Sequence, residues 1–373
     1  MSPVVSESTV HILPKQERKA KPIGIDLFCG VGGMSLGFQD AGFEIAAAID
    51  VDPINIEMHH KNFPKTKALL ADLSKVTGDW IREQANLDGV KIDVVFGGPP
   101  CQGFSLIGKR DLTDPRSALI QHFVRIASEL DVNYFVLENV AGLLSGDTRQ
   151  LLDGALSYAR EAGYNIVEPI QVLNAADYNV PQNRRRVFIL GYKAGFLAPS
   201  YPVKYPKPAP TVWEAIGDLS RAKSKEPYDV DVYTGPLGES SEYAATLHSK
   251  SNYGIHSLSG CLRTRHGKES ITRFAETTQG TQEKVSRFFK LSKHGLSNTL
   301  RAGTGRSHGS YTAPRPIHPT QPRCITVREA ARLHSFPDWF IFHPTRWHGF
   351  RQVGNSVPPH LAQVVAASLI SII

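Results

Sequence analysis

Residues 23–33, IGIDLFCGVGG, place a short apolar run directly before a cluster of glycines. The run predicts a buried β-strand over residues 23–28, and the pattern that starts at Met34 predicts a helix. Three glycines between a strand and a helix bring bare backbone close to a bound molecule at the carboxyl edge of an α/β sheet. The spacing differs from the GxGxxG of dinucleotide-binding proteins, and by itself the cluster is equally consistent with a simple tight turn.

The same alternation of apolar runs and helical patterns continues towards residue 191. Two segments, 117–130 and 148–162, carry apolar residues at three- and four-residue spacing, which predicts helices. The predicted strands lie between such segments, at residues 23–28, 44–49, 68–71, 90–96, 134–137 and 187–190. This alternation predicts an α/β fold with a doubly wound, mostly parallel sheet.

A second, less regular region begins where the alternation stops, after Gly191. Its start is marked by prolines, which interrupt helices and central strands, at positions 199, 202, 206, 208 and 210. Helical patterns return at residues 326–334 and 361–370. The chain therefore has room for two domains, or for one large domain that carries a substantial insert.

Positive charge is concentrated in this second region. Between residues 250 and 321, twelve lysines and arginines stand against three acidic residues, a net charge of +9. The rest of the 373-residue chain therefore sums to −2, since the whole carries +7. A regional excess of cations favours a polyanionic partner, although basic proteins that never meet nucleic acid are common.

The four cysteines, at positions 29, 101, 261 and 324, lie far apart and form no CxxC pair. Neither a disulfide framework nor a metal site is predicted. The N-terminal arm, residues 1–22, is polar and charged, and no apolar run of about 18 residues occurs anywhere in the chain. With 41% hydrophobic residues for a core, we expect a soluble intracellular protein.

Carboxylates follow several of the predicted strands. Asp50 closes the second run, Asp72 follows the third, and Glu138 follows the run at 134–137. At such a position Asp50 is placed to grip a ribose hydroxyl. The apolar residues before Glu138 predict partial burial, which would raise its pKa and suit it to act as an acid. Alternatively, acidic residues at strand ends often serve only as loop, cap or solvated side chains.

Residues 97–105, GGPPCQGFS, follow the strand predicted at 90–96. Two glycines and two prolines impose an unusual backbone path, and Cys101 comes directly after them at the edge where α/β enzymes carry out their chemistry. Most intracellular cysteines are simply small buried residues. The polar loop favours a reactive nucleophile instead.

A run of three arginines, Arg184, Arg185 and Arg186, precedes the last predicted strand of the sheet. Alternation puts the first and third on one face, so that a pair of guanidinium groups faces the cleft. Such a run is also typical of a solvated or phosphate-contacting surface. Residues 352–359, QVGNSVPP, are predicted as a loop that leads into the C-terminal helix.

Taken in order, these segments resemble the motif set of DNA (cytosine-5)-methyltransferases of the bacterial modification-methylase type. The resemblance covers residues 23–191 and 323–373. The matching motifs are FxGxGG, Pro-Pro-Cys-Gln, Glu-Asn-Val, Gln-x-Arg-x-Arg, residues 323–337 with Thr326, Arg328 and Glu329, and Gly-Asn-Ser-Val-Pro-Pro. One match could arise by chance, but six in register are hard to explain otherwise.

The resemblance implies a Rossmann-like class I methyltransferase fold. It also implies an enzyme that uses S-adenosyl-L-methionine as methyl donor and needs no metal. The implied catalytic residues are Cys101, Glu138, Arg184 and Arg186. The implied cofactor-binding residues are Phe28, Gly30, Gly32, Asp50, Val51, Asp72, Pro100, Leu119 and Asn355. In the same way, residues 23–191 correspond to the catalytic domain, 192–322 to a smaller target-recognition domain, and 323–373 to a return segment that completes the catalytic domain.

The implied reaction begins with attack of the Cys101 thiolate on C6 of a cytosine, because C5 alone is not nucleophilic enough to take a methyl group. Glu138 would protonate or hydrogen-bond N3, and Arg186, supported by Arg184, would donate to O2. The cytosine must first be flipped out of the base stack, and the basic region would hold the DNA.

Double-stranded DNA is the favoured substrate. The loop reads Cys-Gln-Gly-Phe-Ser where tRNA-modifying relatives carry Cys-Gln-Pro-Phe, and their Cys-Phe-Thr motif is absent. RNA methylation is kept as an alternative, as is a non-catalytic regulator that binds DNA or adenosylmethionine. A nucleotide-dependent oxidoreductase and an amino-group methyltransferase fit less well, since Gly98 stands where the latter usually has an acidic or amide residue.

The small size favours a bacterial or phage enzyme that works in the cytoplasm, associated with the nucleoid, as a monomer on DNA and without membrane contact. A restriction endonuclease that acts separately is the expected partner. Residues 192–322 show no close match to a known recognition domain, so the target sequence stays open.

Overall fold

The computed structural model describes residues 21–100, 119–223, 237–248, 258–303 and 315–373. Within these residues one sheet has the strand order β3-β2-β1-β4-β5-β8-β6, with β7 also paired to β8. The strands are β1 Ile23–Leu27, β2 Glu44–Asp50, β3 Lys67–Leu70, β4 Val94–Gly97, β5 Tyr134–Val140, β6 Tyr164–Ile166, β7 Gln171–Asn174 and β8 Arg185–Lys193. The helices are α1 Gly33–Ala41, α2 Pro53–Asn62, α3 Gly78–Ala85, α4 Leu119–Glu129, α5 Asp147–Glu161, α6 Val212–Ile216, α7 Glu242–His248, α8 Lys268–Glu276, α9 Val327–Leu333, α10 Arg346–Asn355 and α11 Pro359–Ile370.

The sheet is parallel in one half and antiparallel in the other. Strands β3, β2, β1, β4 and β5 run parallel to one another. In contrast, β8 runs antiparallel to β5, β6 and β7. Crossover helices between parallel strands bring the carboxyl ends of those strands to one edge of the sheet. The predicted α/β fold with a mostly parallel sheet is confirmed.

The predicted strands are present, but several of their ends differ. The strand predicted at 134–137 continues through Val140, and the one predicted at 187–190 extends from Arg185 to Lys193. Backbone pairing continues there beyond the apolar run, into residues with polar side chains. Strands β6 and β7 were not predicted, because they are only three and four residues long and contain polar residues.

Helices cover both faces of the sheet. On one face α3, α4 and α5 pack with the sheet into a buried apolar cluster. On the other face α1 and α11 do so, and the two helices cross closely: a Cβ on Gly37 would lie 2.5 Å from the Ala362 Cβ. The C-terminal helix therefore shares a core with the first helix of the chain.

A third apolar cluster joins α6, α7, α9 and α10. Helix α9 matches the helix predicted at 326–334 and begins with a capping box between Thr326 and Glu329. The loop predicted at 352–359 was partly wrong, since residues 352–355 belong to α10. Gly354 was predicted as part of this loop. A larger residue would not fit at this position, because a Cβ there would lie 2.4 Å from the Ala302 backbone nitrogen.

Residues 194–210, which contain the five prolines, form neither helix nor strand, in keeping with the predicted boundary. Among the helices of the described ranges, none has the length and apolar character needed to cross a membrane.

Candidate active site

The glycine cluster after β1 forms a tight turn with left-handed backbone angles. Phe28, Gly30 and Gly32 have φ values of 61°, 55° and 102°. A Cβ on Gly32 would lie 2.4 Å from the ring of Phe63, so a larger residue would displace that ring. A Cβ on Gly30 would meet no atom within 4 Å. The turn is thus packed tightly at Gly32 and leaves open space at Gly30.

A buried polar trio supports this turn from the interior. Asp26 accepts hydrogen bonds from the backbone N–H and the hydroxyl of Ser35, at 3.1 and 2.6 Å, and Ser35 Oγ lies 3.0 Å from His59 Nε2. Burial raises the pKa of Asp26 to about 8 and lowers the pKa of His59 to about 3, so both side chains are largely neutral at neutral pH. A Cβ on Gly32 would also lie 3.0 Å from the His59 ring. The trio was not predicted, because in the sequence it shows only as polar residues within β1, α1 and α2.

Asp50, at the carboxyl end of β2, holds the turn from another side. Its two oxygens accept the N–H groups of Gly30 and Asp52, both at 2.8 Å. Burial raises the pKa of the Asp50 carboxyl, and these hydrogen bonds partly oppose the rise. Oδ1 also accepts from the Asn55 amide at 3.5 Å, whereas Oδ2 accepts only from Gly30 and, with two acceptor sites, can take a further hydrogen bond from a hydroxyl of a bound molecule.

Asp72 lies two residues beyond β3 and is partly exposed. It accepts the hydroxyl and the N–H of Ser74, at 2.7 and 3.0 Å, and Lys75 Nζ lies 3.4 Å away. The Ser74 hydroxyl, followed by its N–H, lowers the pKa of Asp72. Asp72 is therefore a charged acceptor in a defined orientation.

Three of the other predicted cofactor-binding residues have apolar side chains. Val51 is 68% exposed, an unusual state for a valine that follows a buried strand, while Phe28 and Leu119 are half-buried. The carboxylates can accept hydrogen bonds from hydroxyl groups, and the apolar side chains can pack against a flat ring. The open space at Gly30 lets a bound molecule come close to the backbone. This combination of groups fits a nucleoside-containing molecule.

The end of β4 packs directly on the end of β5. A Cβ on Gly98 would lie 2.8 Å from Glu138 Oε2, and the Asn139 side-chain amide donates to the Pro99 carbonyl at 3.2 Å. These contacts hold the segment that leads to Pro100 against Glu138. Cys101, the next residue and the predicted nucleophile, lies outside the described residues.

Glu138 and Arg186 form an ion pair at the junction of β5 and β8, with 3.0 Å between Glu138 Oε1 and Arg186 Nε. The antiparallel register pairs Glu138 with Phe188 and Val140 with Arg186, which puts both charged side chains on one face. Burial raises the pKa of the Glu138 carboxyl, against the opposing effect of the arginines. A buried carboxyl of this kind beside a guanidinium is able to hold a proton at a bound base.

Arg184 has a different environment from the one expected of a second guanidinium in the cleft. It is buried and donates to the carbonyls of Leu300, Gly354 and Ser356, at 3.1, 3.0 and 2.8 Å. Burial also lowers the pKa of the Arg184 guanidinium well below its usual value. The predicted alternation is present, since Arg185 is exposed, but Arg184 uses its donors to join three chain segments.

Gln182 and His334 complete this junction, and the sequence analysis did not identify their roles. The Gln182 amide donates to the Leu333 carbonyl at 3.1 Å and to His334 Nδ1 at 3.0 Å, and its oxygen accepts the Leu300 N–H at 3.1 Å. His334 Nε2 lies 2.9 Å from the Ser356 carbonyl, to which it donates. Gln182 was visible only as the first residue of the Gln-x-Arg-x-Arg motif.

Two further buried arginines tie α9 to the middle of the chain. Arg332 donates to Asp338 at 2.6 Å and to Asp218 at 3.3 Å. Arg328 donates to the Ser259 carbonyl at 2.9 Å. The matching motif at residues 323–337 therefore contacts earlier residues, at 218 and 259, and a later one, at 338, through buried, charge-assisted hydrogen bonds.

Asn355 is the last residue of α10, and its side chain is exposed. The carbonyls on either side of it, of Gly354 and Ser356, accept hydrogen bonds from Arg184. The backbone at Asn355 is thus held in place while its amide is left accessible to a bound molecule.

Comparison with known proteins gives one consistent picture. Residues 24–371 match the protein family described as C-5 cytosine-specific DNA methylase. The chain is 50% identical over 360 residues to the Type II methyltransferase M.XorII of Xanthomonas oryzae pv. oryzae, a match that covers 94% of this chain and 84% of the relative. It is 33% identical over 372 residues to the Type II methyltransferase M.DdeI of Desulfomicrobium norvegicum, covering 92% and 87% of the two chains.

A solved structure agrees with these relatives. The crystal structure of a protein described as a DNA modification methyltransferase encoded within an E. coli prophage superimposes with a TM-score of 0.80 at 32% identity. The superposition covers 94% of this chain and 99% of the other.

Proposed function

The chain belongs to the C-5 cytosine-specific DNA methylases and is a DNA (cytosine-5)-methyltransferase, and on that premise we propose how its residues carry out the reaction. A methyl group passes from S-adenosyl-L-methionine to C5 of a cytosine that is flipped out of a specific duplex sequence, through a covalent bond between Cys101 and C6. The observation that carries this proposal is the buried Glu138–Arg186 pair, which lies against the Gly98–Pro100 segment that leads to Cys101.

S-adenosyl-L-methionine supplies an activated methyl group on a sulfonium sulfur. Asp50 would accept from the ribose hydroxyls, while Val51 and Leu119 provide apolar walls. The rest of the proposed pocket consists of Phe28, Gly30, Gly32, Asp72, Pro100 and Asn355. The open space at Gly30 and the exposed Val51 support this assignment.

The chemistry needs a nucleophile because C5 of cytosine does not accept a methyl group directly. Attack of the Cys101 thiolate on C6 forms the sulfur–carbon bond and moves a ring electron pair onto C5. C5 then takes the methyl group, the C5 proton is removed, and the thiolate is expelled as the ring double bond re-forms. The net products are 5-methylcytosine, the demethylated donor and a proton.

Glu138 assists the attack by holding a proton at N3, which draws electron density away from C6. Its burial supports this role, because burial raises the pKa of the carboxyl and so favours its protonated form. Arg186 donates to O2 and stabilises the negative charge that develops there. Arg184 supports both residues indirectly, since its bonds to three carbonyls hold the start of β8 in place.

Target selection is assigned to residues 192–322, because the net charge of +9 over residues 250–321 suits contacts with phosphates and groove edges. Residues 23–191 and 323–373 form the catalytic domain in this proposal. We expect the enzyme to act as a monomer and to flip the cytosine at a cost of a few kcal/mol. Like the relatives named Type II methyltransferases, it would protect DNA from a restriction endonuclease that acts separately.

The decisive experiment uses duplex DNA with 5-fluorocytosine at the methylated position, which bisulfite sequencing of a host that expresses the protein will identify. Fluorine cannot leave C5 as a cation, so the covalent intermediate cannot resolve. With S-adenosyl-L-methionine present, a protein–DNA adduct that survives denaturing electrophoresis should accumulate, and without the cofactor it should not.

Cysteine variants separate the mechanism from the residue assignment. Cys101→Ala should abolish the adduct, whereas alanine at each of the buried cysteines 29, 261 and 324 should leave it in folded protein. An active wild type that forms no adduct would disprove covalent catalysis. An adduct that persists in Cys101→Ala would instead assign the nucleophile elsewhere.

A further inference from the structure

Residues 280–290 form a short hairpin with a closed tip. Gln282 pairs with Phe289, and the Gly280 N–H donates to the Lys290 carbonyl at 2.8 Å. At the tip, the Arg287 N–H returns to the carbonyl of residue 283 at 3.0 Å. We refer to residues 280–290 as the recognition hairpin.

Glu283 locks the tip of the recognition hairpin. Its buried carboxylate accepts the N–H groups of Val285 and Ser286, at 3.0 and 2.5 Å. The Ser286 hydroxyl is the largest of the hydrogen-bonding effects that lower the pKa of Glu283 to about 2, so the carboxylate is charged at neutral pH. Arg287 has a φ of 61°, a left-handed conformation that a non-glycine residue adopts only where its surroundings impose it.

Lys290 anchors the other end of the recognition hairpin. Its buried ammonium group donates to the carbonyls of Phe274 and Ala275, at 2.8 and 3.2 Å, in the last turn of α8. Cations stabilise the carboxyl end of a helix, where carbonyls lack partners. The tip is therefore presented in one orientation relative to α8.

The side chains that this locked tip displays are uncovered. Arg287 is exposed, and Val285 is 68% exposed. Across the described ranges, no hydrogen bond or ion pair involves the Arg287 guanidinium. A strained backbone that displays five unused donors beside an apolar side chain favours a partner outside the chain.

Arg287 also lines a cavity of about 100 Å³ with both polar and apolar walls, the polar ones including Asn298 and Thr299. The Thr299 hydroxyl donates to the Asn183 carbonyl at 2.6 Å, three residues before Arg186. The wall of the cavity at Thr299 is thus bonded to the segment that leads into β8, the strand that carries the proposed catalytic arginine.

We propose that Arg287 reads a guanine in the target sequence, an assignment that rests on the proposed function above. An arginine offers two parallel N–H donors, and on the major-groove edge only guanine offers two adjacent acceptors, O6 and N7. A phosphate contact needs neither a locked backbone nor a concave wall, and flexible surface cations serve it equally well. Arg287 has both features, which favours a base over a phosphate.

The test compares kcat/KM for the target duplex with that for duplexes in which each base pair is replaced in turn. Arg287→Ala should lose about tenfold to a hundredfold on the original target and become indifferent to the base at one G·C position. Arg287→Gly should behave in the same way, because glycine accepts the left-handed conformation. The matched control is Lys284→Ala, an exposed cation on the same tip, which should weaken all duplexes equally and lower the salt dependence.

Each outcome decides the proposal. If Arg287→Ala and Arg287→Gly lose activity equally on every duplex, Arg287 contacts a phosphate and base reading is wrong. If both retain the activity and preferences of the wild type, the recognition hairpin does not read the target through this residue. Failure of the proposed function has a different signature, since the wild type would then methylate no duplex and trap no 5-fluorocytosine.

Discussion

Replacing Gly98 by alanine probes the contact between the end of β4 and the carboxyl of Glu138. Gly98 lies outside the left-handed region, so its backbone accepts alanine and the effect of the change is purely steric. The added methyl carbon would point at Glu138 Oε2, while the Arg186 guanidinium holds the other carboxylate oxygen, Oε1.

The size of the disturbance follows from the distances. The new Cβ would lie 2.8 Å from Oε2, whereas ordinary contacts begin at 3.4 Å, so the carboxylate has to retreat by about 0.6 Å. Because the Glu138–Arg186 pair is already at 3.0 Å, the carboxyl has to turn away from its present position. Misplacement of a catalytic group by about 1 Å costs on the order of a hundredfold in rate, so we expect kcat to fall by about tenfold to a hundredfold.

Single-turnover transfer of a labelled methyl group to the target duplex measures this effect. Cofactor affinity by calorimetry should change by less than about twofold, since the three atoms nearest to a Cβ on Gly98 all belong to Glu138. Gly142→Ala is the matched control: this glycine lies two residues after the end of β5, and a Cβ on it would meet no atom within 4 Å.

A Gly98→Ala enzyme whose transfer rate stays within about twofold of the wild type would contradict this prediction. Equal losses in Gly98→Ala and Gly142→Ala would also refute it, because the effect would then be a general consequence of adding a methyl group near the site. A loss confined to KM for the cofactor would place Gly98 in the cofactor pocket instead.

Three further changes test other parts of the site. Asp26 keeps its proton up to about pH 8 in the folded chain, against 3.8 for the free side chain, so it makes the folded state lose stability as pH rises through this window. Asp26→Asn should therefore gain stability relative to wild type between about pH 5 and pH 8 in urea unfolding, and a constant difference would contradict the assignment. Arg184→Ala removes the hydrogen bonds to three carbonyls, of which that of Ser356 keeps His334 as a donor, and should lower the free energy of unfolding by about 3 kcal/mol or more, whereas the exposed Arg185→Ala should change it by less than about 0.5 kcal/mol. Asp72→Ala should weaken cofactor binding in calorimetry while Cys101→Ala should not, since the two residues follow different strands; equal loss in both would remove the division of roles.

The parallel half of the sheet could be predicted from the sequence because its central strands, β1 and β4, are buried on both faces. Such strands appear as short, continuous apolar runs, as in 23–27 and 94–97. Their carboxyl ends meet at one edge by topology alone, so Asp50 and Glu138 could be assigned to that edge without coordinates. The strand ends were less certain, since pairing extends past the apolar run at Val140.

The antiparallel half could not be predicted in the same way. The direction of β8 relative to β5 leaves no mark in the apolar pattern of residues 187–190, and β6 and β7 are too short to show a period. The role of Arg184 also could not be predicted from the sequence. Its partners Leu300 and Ser356 lie 116 and 172 residues further along the chain, and side-chain bonds to backbone carbonyls carry no residue-type signature.

In the proposed function, the hydrogen bonds that join β8 and the segment before it to distant backbone groups connect catalysis with target recognition. Arg186 faces Glu138, while Arg184 and Gln182, on the segment that leads into β8, bond to the chain at Leu300. Because these bonds go to the backbone N–H and carbonyl of Leu300, the side chains of the recognition region can change without loss of the junction. If the recognition hairpin reads the target as proposed, a new target sequence requires new side chains there, while the register of β5 and β8 keeps Glu138 and Arg186 on one face of the sheet.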